Sequence, residues 1–554
     1  MREVNHISEK KIDKKSKEEI IDLIINTIEQ EKQSLVFTNS KSSSEKTAEK
    51  IYDVLPSSYE NEELKKISEK ALNALSSPTR QCRRLSKLLT KGIVFHHSGL
   101  VPKQRALIEK EFRKGTIKVI CSTPTLAAGL NLPAYNVIVK DYKRYSQRGF
   151  NDIPVLEYHQ MSGRAGRPGK EAKGLAIIYV KSEEELDRIV KKYINGEPEE
   201  IISKLAVEPT LKMYILSLIA IEIVNSKEEI LNFFSNTLYA HQYKDIEAIE
   251  YHLSTILKQL KEYGFIENQE GYYIATPMGK RISQLYLNPD TANYFLENIN
   301  SFFEDFSSEI ISKNSIYSLI FFVVNTLEMR PLFRVLKKEE EKYVQRADEI
   351  GESLVVGFDP FEGDYTQFLC AIKTTDVFYD WMLEAHEDFL SEKYNITPGE
   401  LNYKLDVLDW LLYSLEEISL LKKQFFFKNF LNKLRIRAKL GIKEELIPLI
   451  SLVGIGRVRA RKLYEGGFRK ILDLKRADTL SISRIVGEKI ARKIKEQITD
   501  GEEIKDKVLD KEFLQKPKEI AFREVEEKEI DSLISHYEEF EQEKEKNRNL
   551  FDYF

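Results

Sequence analysis

The stretch Gln160–Arg167, QMSGRAGR, places two arginines three residues apart between glycines. Arginine stays charged at physiological pH and offers planar, bidentate donors that match phosphate oxygens. The glycines permit a tight turn beside a ligand, and the spacing brings Arg164 and Arg167 to one face if they open a helix. The pattern is typical of arginine fingers that close on a phosphate, although an exposed basic turn can have the same sequence.

Three further stretches precede this one. Each joins a β-prone apolar run to a polar or glycine-containing loop, and they are Leu35–Ser40 (LVFTNS), Ile93–Leu100 (IVFHHSGL) and Val119–Pro133 (VICSTPTLAAGLNLP). Together with QMSGRAGR they resemble, in order and spacing, motifs IV, IVa, V and VI of superfamily 2 helicases. The forms FHHSGL, TPTLAAGLNLP and QMSGRAGRPG are similar to those of archaeal Hjm-type DNA helicases, relatives of the Ski-type and polymerase-theta helicases.

The resemblance implies a role for each matched residue. Arg164 and Arg167 would contact the γ-phosphate of ATP as catalytic residues, and Gln160 would couple the nucleotide to closure of the motor. The residues expected near the nucleotide are Gly129, Asn131 and Gly163, and those expected to contact the DNA backbone or to relay closure are Thr123 and Thr125.

Strand and helix patterns alternate through the first third of the chain. Helical spacing spans Lys17–Ile28 and Lys103–Arg113, and β-prone runs span Leu35–Phe37, Lys118–Cys121, Val137–Lys140 and Leu175–Val180. This alternation predicts an α/β, RecA-like domain with a parallel sheet. The charged helical stretch Asp53–Leu89 is expected to be an insertion on the rim of that sheet.

A β-hairpin is predicted between motifs V and VI. Two β-prone runs within Asn136–Glu157 flank a turn rich in Ser, Gln, Gly and Asn. In the helicases that the sequence resembles, a hairpin here separates the first base pairs of a duplex. Tyr142, Tyr145 and Phe150 would then stack on an unpaired base, or the hairpin is an ordinary one whose aromatic rings pack on the sheet.

Mainly α domains are predicted to follow the RecA-like domain. Helical spacing over Ile246–Tyr263 precedes two short β-prone runs, Phe265–Glu267 and Tyr272–Ile274, which is the order of a winged helix. The predicted boundaries are 1–200 for the RecA-like domain, 201–290 for the winged helix, 291–440 for a helical ratchet bundle, 441–500 for a helix-hairpin-helix domain and 501–554 for a charged tail.

A long helix is predicted from Thr397-Pro398-Gly399-Glu400 through Leu421, since proline favours the first turn of a helix. The resemblance makes it the ratchet helix that lines a single-strand channel, with Trp410 stacking on a base. Relatives carry an arginine about two turns before this tryptophan, where only Lys404 supplies a charge. The alternative is a tryptophan buried in a helical bundle.

A helix-hairpin-helix is predicted from Leu452–Leu463, LVGIGRVRARKL. Its glycines let backbone amides approach a phosphate, and the basic residues that follow neutralise neighbouring phosphates. From Gly454 to Lys495, thirteen Lys and Arg stand against four Asp and Glu, so the stretch is locally basic and expected to grip DNA independently of base sequence. The residues expected to bind DNA here are Gly454, Gly456, Arg457, Arg459 and Arg461, and a degenerate second copy spans Ile485–Ala491.

The C-terminus, Asn547–Phe554 (NRNLFDYF), resembles the peptide with which many proteins dock on a sliding clamp. The positions that match are Asn547, in place of the usual glutamine, and Leu550, Tyr553 and Phe554. The alternative is a tail that folds back on the body of the protein.

Composition bounds the class of protein. The 554 residues suffice for several domains, and 85 Lys and Arg against 89 Asp and Glu make any basic surface a local one. Three well-separated cysteines, without metal-ligand spacing, favour a reducing cytoplasm and no structural metal. The polar, charged opening residues lead us to expect no signal peptide, and the sequence contains no uninterrupted apolar run near 18 residues.

The sequence contains neither Gly-x-x-x-x-Gly-Lys-Ser/Thr nor Asp-Glu-x-His. These patterns hold the nucleotide phosphates and Mg²⁺ in helicases, so ATP and Mg²⁺ are expected to bind jointly with a first RecA-like domain that this chain lacks. The expected function is the C-terminal part of an ATP-dependent 3′–5′ DNA helicase acting on stalled forks and branched DNA. Alternatives are a non-catalytic DNA-binding adaptor and a Ski-type RNA helicase.

Overall fold

The computed structural model describes residues 14, 16, 18–75, 77–127, 132–146, 149–166, 173–206, 208–306, 313–351, 353–356 and 364–499. The chain forms two compact units. The first contains residues up to Ser203 and the segment His386–Asn402, and the second contains Lys204–Ala385 and the residues from Tyr403 onward.

The first unit is an α/β domain. Its helices are α1 (Glu19–Glu29), α2 (Lys41–Val54), α3 (Glu62–Leu72), α4 (Arg80–Leu89), α5 (Pro102–Lys114), α6 (Val155–Ser162) and α7 (Glu183–Ile189). Its strands are β1 (Ser34–Phe37), β2 (Ile93–His96), β3 (Val119–Ser122), β4 (Asn136–Val139), β5 (Lys143–Ser146), β6 (Gly149–Asp152) and β7 (Leu175–Ile178).

Five strands form a parallel sheet in the order β2-β3-β1-β4-β7. Strands β1 to β4 are buried along their length and each has three apolar residues out of four, as expected for a parallel sheet covered by helices, whereas Leu175 on the edge strand β7 is exposed. Helices α1, α2, α4, α5 and α6 pack against this sheet. The prediction of a RecA-like α/β domain is confirmed.

Local sequence signals explain where helix α5 begins and ends. Pro102 occupies its first turn, where the missing N–H costs nothing. Gly115 follows its last residue with a φ of 94°, a left-handed conformation that glycine adopts without strain. The helix therefore extends the predicted Lys103–Arg113 by one residue at each end.

The remaining elements are mainly helical. The helices are α8 (Glu208–Ala220), α9 (Lys227–Ser235), α10 (Leu238–Tyr243), α11 (Ile246–Glu262), α12 (Pro277–Gln284), α13 (Pro289–Phe306), α14 (Lys313–Val324), α15 (Glu340–Gly351), α16 (Tyr365–Met382), α17 (Glu387–Tyr394), α18 (Pro398–Leu421), α19 (Phe425–Leu440), α20 (Ile447–Ile450), α21 (Arg457–Glu465), α22 (Ile471–Arg476), α23 (Thr479–Val486) and α24 (Glu488–Thr499). The strands are β8 (Ile266–Gln269) and β9 (Tyr272–Ala275).

Helices α8 to α12 and the antiparallel pair β8–β9 form the predicted winged helix. Helices α20 to α24 enclose a separate apolar core that includes Leu449, Leu463, Ile482 and Ile494, and they form the predicted helix-hairpin-helix domain. Within the described ranges, no helix is both long and apolar enough to cross a membrane.

Helix α17 and the first turn of α18 pack with the α/β unit, although the predicted boundaries placed them in the ratchet bundle. The backbone N–H of Gly399 donates to the carbonyl of Gly99, with a nitrogen-to-oxygen distance of 2.9 Å. A Cβ on Gly399 would lie 2.2 Å from the carbonyl oxygen of Ser98, so no larger residue fits this contact. The loop of motif IVa thus holds the start of the long helix.

Candidate functional site

Helix α6 positions motif VI. Val155, Tyr158 and Met161 on one face of the helix are buried against the sheet side of the domain, whereas Gln160 is exposed. Gly163 ends the helix and is also exposed. The predicted coupling residue Gln160 and the predicted nucleotide-binding Gly163 are therefore accessible to a ligand.

Arg164 joins motif VI to motif V. Its Nε and one terminal nitrogen both donate to the carbonyl oxygen of Ala127, the former at 3.1 Å. Backbone bonds continue the contact, because Ala134 donates to the carbonyl of Arg164 at 3.0 Å and Gly166 donates to that of Ala134 at 2.8 Å. Arg164 therefore anchors motif V in this structure, and its contact with a γ-phosphate stays a prediction.

Several predicted site residues lie outside the described residues. These are Arg167, Gly129 and Asn131 at the predicted nucleotide site and Asn547, Leu550, Tyr553 and Phe554 at the predicted clamp-binding C-terminus.

Thr123 and Thr125 follow the carboxyl end of strand β3. Their hydroxyl oxygens lie 3.0 Å apart, Thr125 is exposed and Thr123 is half-buried. Both hydroxyls lie at the start of motif V, the segment that Arg164 holds at Ala127. If these threonines contact a DNA strand, that contact is linked to motif VI through Ala127 and Arg164.

His97 of motif IVa has a structural role that sequence reasoning missed. His97 is fully buried, its Nδ1 accepts a bond from the N–H of Gly99 at 3.1 Å, and its Nε2 lies 3.2 Å from Glu45. Because Nδ1 is an acceptor, Nε2 must carry the proton and donate to Glu45. Burial alone would raise the pKa of Glu45, but hydrogen bonds from His97 and from Arg84 outweigh it and lower that pKa to about 2.

The buried His97 holds the motif IVa loop through its bond to Gly99. The part of the loop that contacts Gly399 is therefore fixed in position. Two ion pairs reinforce the docked segment. Lys41 pairs with Glu400 in the first turn of α18, and Arg83 pairs with Asp388 in α17 at 3.1 Å.

The predicted hairpin is present. Strands β5 and β6 are antiparallel, with Lys143 opposite Asp152 and Ser146 opposite Gly149. Tyr142 is buried in the core of the domain and its hydroxyl donates to Glu185, so its predicted stacking on a base is wrong. The side chains of Tyr145 and Phe150 lie outside the described residues, and their stacking stays a prediction.

The long helix α18 spans Pro398–Leu421, as predicted from its proline-containing start. Trp410 is half-buried, and its indole N–H donates to the carbonyl of Leu285 at 2.9 Å. The ring is therefore held by the protein at its nitrogen edge, and stacking of its exposed part on a base stays a prediction.

Lys404 does not offer the expected charge to DNA. Its side chain is 5 % exposed and its ammonium donates to the carbonyl of Met329. Burial lowers the pKa of Lys404 to about 8. The prediction of a DNA contact here is wrong, because the lysine occupies a core position of the helix.

The first helix-hairpin-helix carries an accessible turn. Gly454 has a φ of 87°, and no atom of the described residues other than the adjoining chain neighbours lies within 4 Å of the position of a Cβ on either Gly454 or Gly456. Arg459 is exposed on α21 and one terminal nitrogen donates to the carbonyl of Gly454 at 2.8 Å. The predicted phosphate contacts of these three residues fit this surface.

Arg457 and Arg461 face the protein instead. The guanidinium of Arg457 stacks on Trp381 at 4.3 Å from the ring centre. Arg461 makes a bidentate pair with Glu384, at 2.7 and 2.5 Å, and reaches Glu445 at 2.9 Å. Because residues four apart share a helix face, both arginines dock α21 on the bundle while Arg459 points elsewhere, which corrects the prediction that all three grip DNA.

The second hairpin repeats the geometry of the first. Gly487 also has a φ of 87° and an open Cβ position, and the helix that follows it exposes Lys489, Arg492 and Lys493. The degenerate copy predicted at Ile485–Ala491 is thus a second turn followed by a basic helix.

A RecA-like domain with motifs IV to VI in order, followed by a winged helix, a helical bundle and a tandem helix-hairpin-helix, defines a superfamily 2 helicase. Four family models match the chain. They are the conserved C-terminal domain of helicases at residues 15–169, a helix-turn-helix domain at 177–267, domain 4 of archaeal helicases at 317–441 and a SAM-like tandem helix-hairpin-helix at 446–500.

Curated relatives named ATP-dependent DNA helicase Hel308 match along most of the chain. That of Methanococcus vannielii is 35% identical over 540 residues, which cover 89% of this chain and 70% of the relative. Those of Pyrococcus horikoshii and Caldivirga maquilingensis are 37% and 35% identical, and in each case 66% of the relative is covered. The chain belongs to the Hel308 family, and it spans about two thirds of the length of these relatives.

Proposed function

We propose that this chain is the C-terminal part of an ATP-dependent 3′–5′ DNA helicase of the Hjm type that remodels stalled forks and branched DNA in recombination and repair. The relatives carry the name ATP-dependent DNA helicase, and the chain matches the model of the conserved helicase C-terminal domain. The bond from Arg164 to Ala127 carries the proposal, because it ties the predicted finger motif to the motif expected to contact DNA.

The residues of motif VI suit one side of a bound nucleotide. Gln160 and Gly163 are accessible, and the amide and guanidinium groups of this motif donate to anionic oxygens. When bound, ATP supplies the phosphoanhydride whose hydrolysis drives the motor. The chain's own task is to orient the phosphate end through Arg164, Arg167 and Gln160 and to relay closure through Thr123 and Thr125.

The phosphate cradle and the Mg²⁺ ligands are assigned to a first RecA-like domain, in the same polypeptide or in a partner. This assignment follows from the missing Gly-x-x-x-x-Gly-Lys-Ser/Thr and Asp-Glu-x-His patterns. Gly129 and Asn131 complete the nucleotide side of the proposed site.

DNA is proposed to contact the hairpin through Tyr145, the long helix α18 through Trp410, and the helix-hairpin-helix. There Gly454, Gly456 and Arg459 contact phosphates, and the grip is independent of sequence. Docking of Asn547–Phe554 on a sliding clamp would raise the local concentration of the helicase at replication forks. The proposed site of action is the cytoplasm.

The test is DNA-stimulated ATP hydrolysis by the purified chain, alone and mixed with a separately made first RecA-like domain of a relative. Hydrolysis only in the mixture is expected. Arg167→Ala should abolish it while the affinity for single-stranded DNA persists, and Arg113→Ala on the exposed side of α5 is the control. A variant that loses affinity and hydrolysis together would contradict the finger role, and tight DNA binding without hydrolysis by two associated halves would favour an adaptor.

A further inference from the structure

Helix α6 is capped by a residue far away in the sequence. Pro154 precedes the helix and has no side chain that can accept a bond, so the first amides need another partner. Glu199 supplies it, because its two carboxylate oxygens accept from the N–H of Val155 at 2.7 Å and from that of Leu156 at 3.0 Å. These backbone bonds lower the pKa of Glu199, which therefore stays ionised at neutral pH.

Glu199 lies four residues before Ser203, at which the first of the two chain segments that form the α/β unit ends. The cap thus fixes one end of the motif VI helix to the stretch of chain that leads out of the domain. Since the other end of the helix carries Gly163 and Arg164, a shift of the cap changes where these residues lie.

A second acidic residue in the same turn ties the helix to the hairpin. Glu157 pairs with Arg144 of strand β5, and one terminal nitrogen of Arg144 lies 2.9 and 3.3 Å from the two carboxylate oxygens. Burial raises the pKa of Glu157, the charge of Arg144 opposes this and the nearby Glu199 adds to it. The carboxylate of Glu157 therefore depends on Arg144 for stabilisation of its charge.

The base of the hairpin is braced on its other side as well. Asp152, the last residue of β6, pairs with Arg188 and, at 3.2 Å, with Lys192. Only Ile153 and Pro154 separate β6 from α6, and the N–H of Ile153 donates to the carbonyl of Tyr142 at 2.9 Å. Short connections and paired charges on both sides leave the hairpin little freedom to move without α6.

We propose that Glu157 and Glu199 are positioning residues for motif VI, which link the arginines that follow α6 to the strand-separating hairpin through Arg144 and to the chain leading out of the domain. The inference rests on the proposed function, since it assigns the hairpin to a DNA junction. Engagement of a junction then alters the first turn of α6, and the state of the nucleotide alters the hairpin by the same route.

The test is amide hydrogen exchange in α6 of the intact chain, with and without a forked duplex that has a single-stranded 3′ tail. In the unaltered chain the fork should slow exchange of the α6 amides. With the fork at saturating concentration for each variant, Arg144→Gln and Glu157→Gln should abolish this change, and the charge swap of Arg144→Glu with Glu157→Arg should restore it. Lys143→Gln is the matched control, because this neighbour pairs with Glu185 rather than with α6.

The cap is tested in the same chain without DNA. Glu199→Gln should speed exchange of the first α6 amides about fivefold, as expected for the loss of a helix cap, while Glu200→Gln on the next, exposed residue should not. Fork binding without any change in amide exchange in α6, or a change in exchange that persists in Arg144→Gln, would overturn this inference and leave the proposed function standing. Failure of the chain to bind the fork at all would overturn the proposed function and the inference with it.

The complete motor provides a second measurement. Arg144→Gln should lower the number of base pairs separated per ATP hydrolysed severalfold while ATP turnover changes little. A parallel fall in both quantities would contradict a link between hairpin and motif VI, because a merely structural defect lowers them together.

Discussion

Replacing Arg459 by alanine should weaken DNA binding without destabilising the protein, whereas replacing Arg461 should do the reverse. Arg459 is exposed beside the first hairpin, where its guanidinium is bonded only to the carbonyl of Gly454 among the described residues. Loss of one phosphate contact lowers the slope of log affinity against log salt concentration by about 0.7 to 0.9. Arg461 is about three quarters buried in its pairs with Glu384 and Glu445, so its charge is already neutralised.

Removal of Arg461 leaves Glu384 without its bidentate partner. Burial alone would raise the pKa of Glu384, but the hydrogen bonds from Arg461 and from the N–H of Lys443 outweigh it and lower that pKa. Losing a charged hydrogen-bonding partner costs about 1–3 kcal/mol of unfolding free energy. Glu384→Gln should cost a similar amount, because it breaks the same pair from the other side.

The assay is fluorescence anisotropy of a labelled single strand at several salt concentrations, paired with thermal unfolding of each variant. Arg459→Ala should lower the salt slope and leave the melting temperature unchanged. Arg461→Ala and Glu384→Gln should lower the melting temperature and leave the slope unchanged. A slope that falls equally in Arg459→Ala and Arg461→Ala, with unchanged melting, would refute the assignment of opposite faces.

Three further predictions concern the packing that positions the site. Gly399→Ala should destabilise the docked start of α18 by about 1–3 kcal/mol, because its Cβ would meet backbone atoms of the motif IVa loop, whereas Gly351→Ala, with open space, should change the unfolding free energy by less than about 1 kcal/mol in urea titrations. Lys404→Met should leave DNA affinity unchanged and raise the free energy of unfolding at pH 7. The difference from the unaltered chain should shrink as the pH rises from about 8 to 10.5, since in that range Lys404 binds more protons in the unfolded chain than in the folded one, so the unaltered chain gains stability. Arg435→Met should cost about 3 kcal/mol in the same titrations, because it removes the short bonds to the buried carboxylates of Asp409 and Glu416 and leaves each with a lysine ammonium at 3.7 Å; a loss below about 1 kcal/mol would contradict a stabilising role for this arginine.

Much of the proposed DNA-binding surface follows from local sequence. Glycine at 454 is required by a positive φ, and a basic helix after an open turn is recognisable from spacing alone. The sequence also allowed the prediction that Arg459 faces a different direction from Arg457 and Arg461, because the latter two are four residues apart and share a helix face. The partners of that shared face could not be predicted, since Trp381 and Glu384 lie about 76 residues earlier in the chain.

The sequence by itself determined the order of the helicase motifs, the parallel sheet, the hairpin, the winged helix and the glycine turns. These depend on local periodicity and on the backbone freedom of single residues. The tertiary structure decided which charges remain available. An arginine, lysine or glutamate has the same local pattern whether it faces a phosphate or an internal partner, so the burial of Lys404 and the capping of α6 by Glu199 emerge only when distant segments pack together.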